Sequence, residues 1–226
     1  MKMEKINSDI ADSFCNFLVC LQDTNKNNLP EDIGFQIFYD LFKIREAQRE
    51  YKINFCRKID YSLSDIFQDI IAHYLKKILP KEYEVILEYK QKKLRPDILI
   101  KKNGKNHAIL EIKTTIGWNR DLVKEENYLI RLKKLSDEFG VPIHKVFYIF
   151  EASRNVNNEF ADIFKNDKPN RIKEFIFPLF EFNANPSFCS KRSESLKKFS
   201  NEEIYDFYKK DKITDFKEIL NKVKSI

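Results

Sequence analysis

LRPDILIKKNGKNHAILEIKTT, residues 94–115, holds two runs of aliphatic residues on either side of Asn103-Gly104. Asn-Gly between two apolar runs is the strongest short-range signal for a β-hairpin, because both residues adopt the positive φ that a two-residue turn requires. The predicted strands are residues 96–100 and 107–112, and an Ile- and Val-containing run at residues 84–89 predicts a strand before them. This part of the chain therefore predicts three short strands in succession.

Helical patterns surround these strands. Apolar residues at three- and four-residue spacing predict helices over residues 6–21, 30–44 and 62–79, and a fourth helix from an Asn119 cap to Gly140. A strand at 145–151, a polar loop at 153–158, a short helix at 159–165 and an aromatic strand at 175–182 follow. A polar loop at 183–195 precedes two amphipathic helices, 201–209 and 214–224. The order predicts an α/β (α+β) fold in which helices flank a central sheet.

Composition narrows the class of protein. The chain has 226 residues, of which 42% are hydrophobic and 34% charged, so it can bury a core within one domain. It contains no run of roughly 18 apolar residues, and its N-terminus is too acidic for a signal peptide, so we expect a cytoplasmic protein with no membrane partner. The four cysteines form no CxxC pair, which argues against a zinc site or a disulfide framework.

Positive charge is concentrated in one part of the sequence. Residues 87–134 contain thirteen Lys and Arg against six Asp and Glu, which is +7, whereas the whole chain carries only +6. A contiguous basic segment is expected where a protein faces a polyanion such as nucleic acid. The alternative is a solvated lysine-rich face, and charge alone does not separate the two.

Three ionisable residues fall on the predicted hairpin. Asp97 lies early on one strand, and Glu111 and Lys113 lie two residues apart on the next, so the last two side chains share one face. Two carboxylates supply the oxygen ligands that a hard cation prefers, and an ammonium beside them suits a phosphate. The pattern predicts a site for phosphoryl chemistry.

This arrangement, Pro-Asp followed after thirteen residues by Glu-Ile-Lys, resembles the PD-(D/E)xK nuclease superfamily, which includes most type II restriction endonucleases. The resemblance covers about ninety residues and implies a restriction-endonuclease-like core with a mixed sheet. It implies that Asp97, Glu111 and the backbone carbonyl of Ile112 bind Mg²⁺, and that Lys113 assists the nucleophilic water. Asp69 is a further candidate ligand, on the preceding helix. Residues 62–151 would form the catalytic core of a single nuclease domain, residues 1–61 a helical extension, and residues 152–226 a DNA-recognition and dimerisation region.

The implied activity is that of a sequence-specific endonuclease acting on double-stranded DNA, as a homodimer on a palindromic site. Alternatives are a phage, repair or junction-resolving nuclease, and a non-catalytic binding module on a degenerate nuclease core. Polar and basic residues near the site and in the later loops are candidate DNA contacts: Arg120, Lys124, Arg154, Asn155, Asn157, Lys191 and Arg192.

The hairpin register provides a structural test of the site. A regular two-residue turn at Asn103-Gly104 sets Asp97 opposite Leu110, and its carboxylate then points away from Glu111. The site therefore requires either a longer loop or a β-bulge, which we place at Pro96-Asp97 because Pro96 cannot donate to the ladder. Without that irregularity, Glu111 and Lys113 would be an exposed charge pair and Asp97 a turn residue.

Overall fold

The fold is seen in a computed structural model that describes residues 32–41, 63–115, 125–154, 173–182 and 199–225. The helices are α1 (33–41), α2 (Leu63–Ile78), α3 (Glu125–Phe139), α4 (Asn201–Asp211) and α5 (Phe216–Lys224). The strands are β1 (Tyr83–Leu87), β2 (Ile98–Lys102), β3 (Lys105–Thr115), β4 (Val146–Arg154) and β5 (Ile176–Phe182). The predicted helices at 6–21 and 159–165 and the loop at 183–195 lie outside the described residues.

All five strands belong to one mixed sheet with the order β1-β2-β3-β4-β5. β1, β2 and β3 are antiparallel, whereas β4 runs parallel to β3 and β5 runs parallel to β4. A parallel neighbour requires a long crossover, and α3 lies in the one between β3 and β4. The predicted α/β fold, a sheet flanked by helices, is therefore confirmed.

The hairpin between β2 and β3 begins as the sequence predicts and then changes register. Lys102 faces Lys105 across a turn in which Asn103 and Gly104 both have positive φ, 50° and 75°. Lys101 then faces Asn106, but Ile100 faces Ala108, so His107 is an extra residue on β3. This β-bulge shifts every later pairing by one residue, and Ile98 faces Leu110.

The two faces of the sheet pack against different helices. One face, with Ile98, Ile100 and Ile112, packs against α1, α2, α4 and α5 in the larger core cluster. The other face, with Leu99 and Ile109, packs against α3 through a stripe at Tyr128, Leu132 and Leu135. Side chains alternate between faces along a strand, so each strand contributes to both cores.

The helices at the two ends of the described chain, α1, α4 and α5, belong to the larger of the two core clusters. Phe38 of α1 packs against Phe180 of β5, with ring centroids 5.1 Å apart, and the Tyr208 hydroxyl of α4 donates to Asp32 at 2.9 Å. The apolar residues of α4 and α5, among them Ile204, Ile219 and Val223, are buried. These helices therefore use their apolar faces within the chain.

Two sequence-based boundaries were wrong. Asp97 precedes β2 instead of lying in it, and the polar loop predicted from residue 153 is still strand, because Ser153 and Arg154 pair with Glu181 and Phe182 of β5. The aromatic strand continues to Phe182 and so supplies backbone partners beyond the apolar run. In the parts of the chain that the structure describes, none of the helices is an apolar segment of membrane-spanning length.

Candidate active site

The bulge brings the two hairpin carboxylates to one face of the sheet. Continuing the register from Ile98 and Leu110 sets Asp97 opposite Glu111, on the face that packs against α3. The required irregularity is present, but it is not at Pro96-Asp97. It is the extra residue His107 on β3, which lies opposite the step from Ile100 to Lys101 of β2. The predicted location was therefore wrong, while the predicted consequence for Asp97 holds.

Pro96 explains how Asp97 attaches to β3. The same register sets Pro96 opposite Ile112, and a proline has no N–H to donate to the Ile112 carbonyl. The Asp97 Oδ2 atom accepts a hydrogen bond from the Ile112 N–H at 2.6 Å, in place of a backbone acceptor. The Ile112 carbonyl oxygen accepts from the Lys113 ammonium at 2.9 Å. The end of the ladder is thus completed by side chains.

Lys113 joins three oxygen atoms of the site. Its Nζ atom lies 3.0 Å from Asp97 Oδ2, 2.9 Å from the Ile112 carbonyl oxygen and 3.8 Å from Glu111 Oε2. About a third of the Lys113 side chain, 35%, is exposed, so this residue is only partly buried. The oxygen atoms that the sequence predicts as cation ligands do come together, and the positive charge among them is the Lys113 ammonium.

Glu111 is the buried member of this cluster. Its side chain is only 5% exposed, and its two oxygens accept from the guanidinium of Arg131 on α3, at 3.1 Å and 3.4 Å. Burial raises the pKa of Glu111, the charge of Asp97 raises it further, and Lys113 and Arg131 oppose the rise. The alternative prediction, that Glu111 and Lys113 form an exposed charge pair, is therefore wrong.

Tyr148 of β4 adds a buried hydroxyl next to this carboxylate. Tyr148 pairs with Glu111 across β3 and β4, and its ring meets Tyr128 of α3 edge to face at 5.0 Å between centroids. Burial, followed by the charge of Glu111, raises the pKa of Tyr148, so the phenol stays protonated at neutral pH. Glu111 therefore has an uncharged aromatic neighbour on β4.

The donor set suits a hard divalent cation. Two carboxylates and one backbone carbonyl are oxygen donors of the type that Mg²⁺ takes from proteins while it keeps several waters. Among the described residues, no third His, Cys, Asp or Glu side chain joins them in a metal-binding group. Any cation here would rely on Asp97, Glu111 and the Ile112 carbonyl, with water as the remaining ligand.

Asp69 is not part of this cluster. It is exposed on α2, which packs on the opposite face of the sheet from Glu111. The pKa of Asp69 is raised by the partial burial of its carboxyl group and by the charges of Asp65 and Glu88. No metal-binding group among the described residues includes Asp69, so its role as a ligand stays a prediction. Helical spacing alone cannot tell which face of the sheet a helix covers.

The candidate DNA contacts are located only in part. Arg120, Lys124, Asn155, Asn157, Lys191 and Arg192 lie outside the described residues. Arg154 ends β4, where its backbone pairs with Phe182. The assignment of these residues to DNA therefore stays a prediction.

Two residues were not identified from the sequence as part of the site. Gln68 of α2 is buried and donates to the Asp97 carbonyl oxygen at 3.2 Å, and Arg131 holds Glu111. Both positions carried a signal. Gln68 lies three residues before Ile71 on the apolar side of α2, and Arg131 lies three residues after Tyr128 on the apolar side of α3. A polar residue beside the apolar stripe of a helix needs a hydrogen-bond partner. Here the partners are the Asp97 carbonyl oxygen and the Glu111 carboxylate.

No protein-family model matches this chain. No curated protein and no solved structure matches it significantly either. The functional argument therefore depends on the residues themselves and on the geometry above.

Proposed function

We propose that this protein is a Mg²⁺-dependent endonuclease that hydrolyses phosphodiester bonds in double-stranded DNA at specific sequences. The observation that supports it is the bulge in β3, which brings Asp97, Glu111 and Lys113 to one face at the end of a hairpin. The order helix, three antiparallel strands, helix and parallel strand is similar to the core of the PD-(D/E)xK nucleases. By the same resemblance, the protein acts as a homodimer on a palindromic site.

Asp97, Glu111 and the Ile112 carbonyl would hold the metal ion. When bound, Mg²⁺ polarises a phosphoryl oxygen and lowers the pKa of a coordinated water. Lys113, held by Asp97 at 3.0 Å, would assist the nucleophilic water and stabilise the negative charge that develops on the phosphate. Gln68 and the Glu88 N–H both donate to the Asp97 carbonyl oxygen, at 3.2 Å and 3.0 Å, and so fix the backbone of the first carboxylate.

The loop before Asp97 provides a surface for the DNA backbone. Lys90 and Lys93 are exposed on it, and a Gln91–Leu94 bridge gives it a defined shape. Gln91 also donates to the Glu138 carbonyl oxygen of α3 at 2.8 Å, which fastens the loop to the helix on the site's face. Phosphate contacts of this kind position a duplex without reading its sequence.

The experiment that tests the proposal is incubation of the purified protein with a large DNA of known sequence and Mg²⁺. Its controls are EDTA, Lys113→Ala and Lys133→Ala, which removes the same charge from an exposed position of α3. We expect discrete fragments with the wild type and Lys133→Ala, and a rate lower by at least about a hundredfold with Lys113→Ala. A smear lost with EDTA and Lys113→Ala would favour a phage, repair or junction-resolving nuclease. Equal cleavage by wild type and Lys113→Ala would refute the site.

A second candidate is a non-catalytic DNA-binding module on the same core. The observation that favours it is the Arg131 ion pair, which satisfies Glu111 without a metal ion. This candidate predicts no cleavage with any divalent cation, and DNA binding that Asp97→Ala leaves unchanged.

A further inference from the structure

Arg131 makes the closest ionic contact to the buried carboxylate of the site. Its guanidinium donates through Nη2 to Glu111 Oε1 at 3.1 Å and through Nε to Oε2 at 3.4 Å. The same Nη2 atom donates to the Arg95 carbonyl oxygen at 3.1 Å, in the loop before Asp97. Arg131 therefore connects α3, the carboxylate on β3 and the loop before Asp97, which carries Lys90 and Lys93 and is called the basic loop below.

This two-point contact occupies both oxygens of Glu111. A planar guanidinium matches a carboxylate with two parallel donors, whereas an ammonium provides one point of charge. A divalent cation that binds Glu111 needs at least one of the same oxygens. The two cations therefore compete for one carboxylate, and any gain for one is a loss for the other.

The environment of Arg131 allows it to release Glu111. The Arg131 side chain is 32% exposed, whereas that of Glu111 is 5% exposed, so the arginine is the more solvent-accessible partner of the pair. Glu111 keeps Lys113 at 3.8 Å when the arginine leaves. The exchange therefore does not strand the buried carboxylate without a positive neighbour.

We propose that Arg131 is a positioning residue that holds Glu111 in the metal-free protein and competes with the divalent cation for it. This inference rests on the proposed function, because it takes Glu111 as a metal ligand. It predicts that removal of Arg131 tightens cation binding. A purely structural arginine predicts the reverse, since loss of the contact would then disorder Glu111 and weaken binding.

The test measures Mn²⁺ binding to the full chain without DNA, at mildly alkaline pH, from the electron paramagnetic resonance signal of free Mn²⁺. We expect Arg131→Ala to bind Mn²⁺ about tenfold more tightly than the wild type, the size usual for a change next to a metal ligand. Arg131→Lys should lie between the two, because one ammonium covers one oxygen. Lys133→Ala is the matched control, with the same change in net charge on the exposed side of α3, and should change the Kd less than about twofold.

The outcomes separate this inference from the proposed function. If wild-type binding is lost in Glu111→Ala, but Arg131→Ala binds Mn²⁺ equally or more weakly, the inference is overturned and the metal site stands. If the wild type shows no binding that depends on Asp97 and Glu111, the proposed function fails with it. Circular dichroism and thermal unfolding follow the fold of each variant. Loss of the fold in Arg131→Ala, Arg131→Gln and Arg131→Lys alike would also overturn the inference, because the fold itself would then require the arginine.

Discussion

His73 makes the fold sensitive to acid. It lies on α2, which packs on the face of the sheet opposite α3. Its Nε2 atom is buried without a hydrogen-bond partner in the described structure. Burial lowers the pKa of His73 to about 4 from 6.5, and the neighbouring charges of Lys77 and Lys76 act in the same direction. Between these two values the unfolded chain binds a proton that the folded chain does not. Stability is therefore present above pH 6.5 and is lost as the pH falls toward about 4.

The size of the effect follows from this window. Each pH unit inside it costs up to about 1.4 kcal/mol, so the step from about pH 7 to about pH 5 costs up to about 2 kcal/mol. His73 is only half-buried, and solvent screening reduces this to about 1 kcal/mol. We expect His73→Phe, which keeps a ring and has no ionisable group, to lose about 1 kcal/mol less than the wild type over the same step.

The assay is urea denaturation of both proteins at about pH 7 and about pH 5, with the unfolding free energy taken from linear extrapolation. His144→Gln, on the exposed turn before β4, is the control and should follow the wild type. Equal losses in His73→Phe and the wild type would refute the reasoning. So would an NMR titration in which the His73 ring protonates near pH 6.5 in the folded protein.

Three further predictions concern the site, a helix cap and the basic loop. Gln68→Ala removes a hydrogen bond to the Asp97 carbonyl, and we expect an unfolding free energy about 1 kcal/mol lower and single-turnover cleavage about tenfold slower. Ser200→Ala removes the side-chain acceptor of the capping box that begins α4, and urea denaturation should show a loss of about 1 kcal/mol with cleavage unchanged. Joint replacement of Lys90 and Lys93 by Ala should lower the slope of log Kd for DNA against log salt by about 1 to 2, in filter binding.

Matched variants control these three predictions. Lys76→Ala changes an exposed residue of α2 and should cleave at the wild-type rate, and equal slowing by both changes would contradict a role for Gln68. Glu203→Gln keeps an acceptor for the Ser200 N–H, so a loss as large as that of Ser200→Ala would argue against the cap. Lys210 and Lys224 lie exposed on the helices across the sheet, and a double Ala variant there should leave the salt slope unchanged.

Most of the fold was predictable because its signals are local. The Asn103-Gly104 turn, the alternation of Glu111 and Lys113 on β3, and the break after α3 at Gly140 each depend on a few neighbouring residues. The end of β4 was not predictable in the same way. Ser153 and Arg154 form a strand because β5 offers them backbone partners, and periodicity within one segment contains no information about its neighbour.

The site shows the same division. The sequence identified Asp97, Glu111 and Lys113 as candidate site residues, and it required an irregularity in the hairpin to bring Asp97 to Glu111. Only the tertiary structure decided where that irregularity lies. The Nε2 atom of the extra residue, His107, lies 2.8 Å from the carbonyl oxygen of Val223, 116 residues away on α5, and 3.1 Å from Nζ of the buried Lys145.

The engagement of Glu111 by Arg131 was likewise decided only when α3 packed across β3. Side-chain alternation along a strand is fixed by backbone geometry, and so the sequence alone can place a carboxylate on a face. The position of a bulge and the counter-ion of a buried carboxylate depend on contacts between distant segments. Such contacts exist only once the sheet has been covered by its helices.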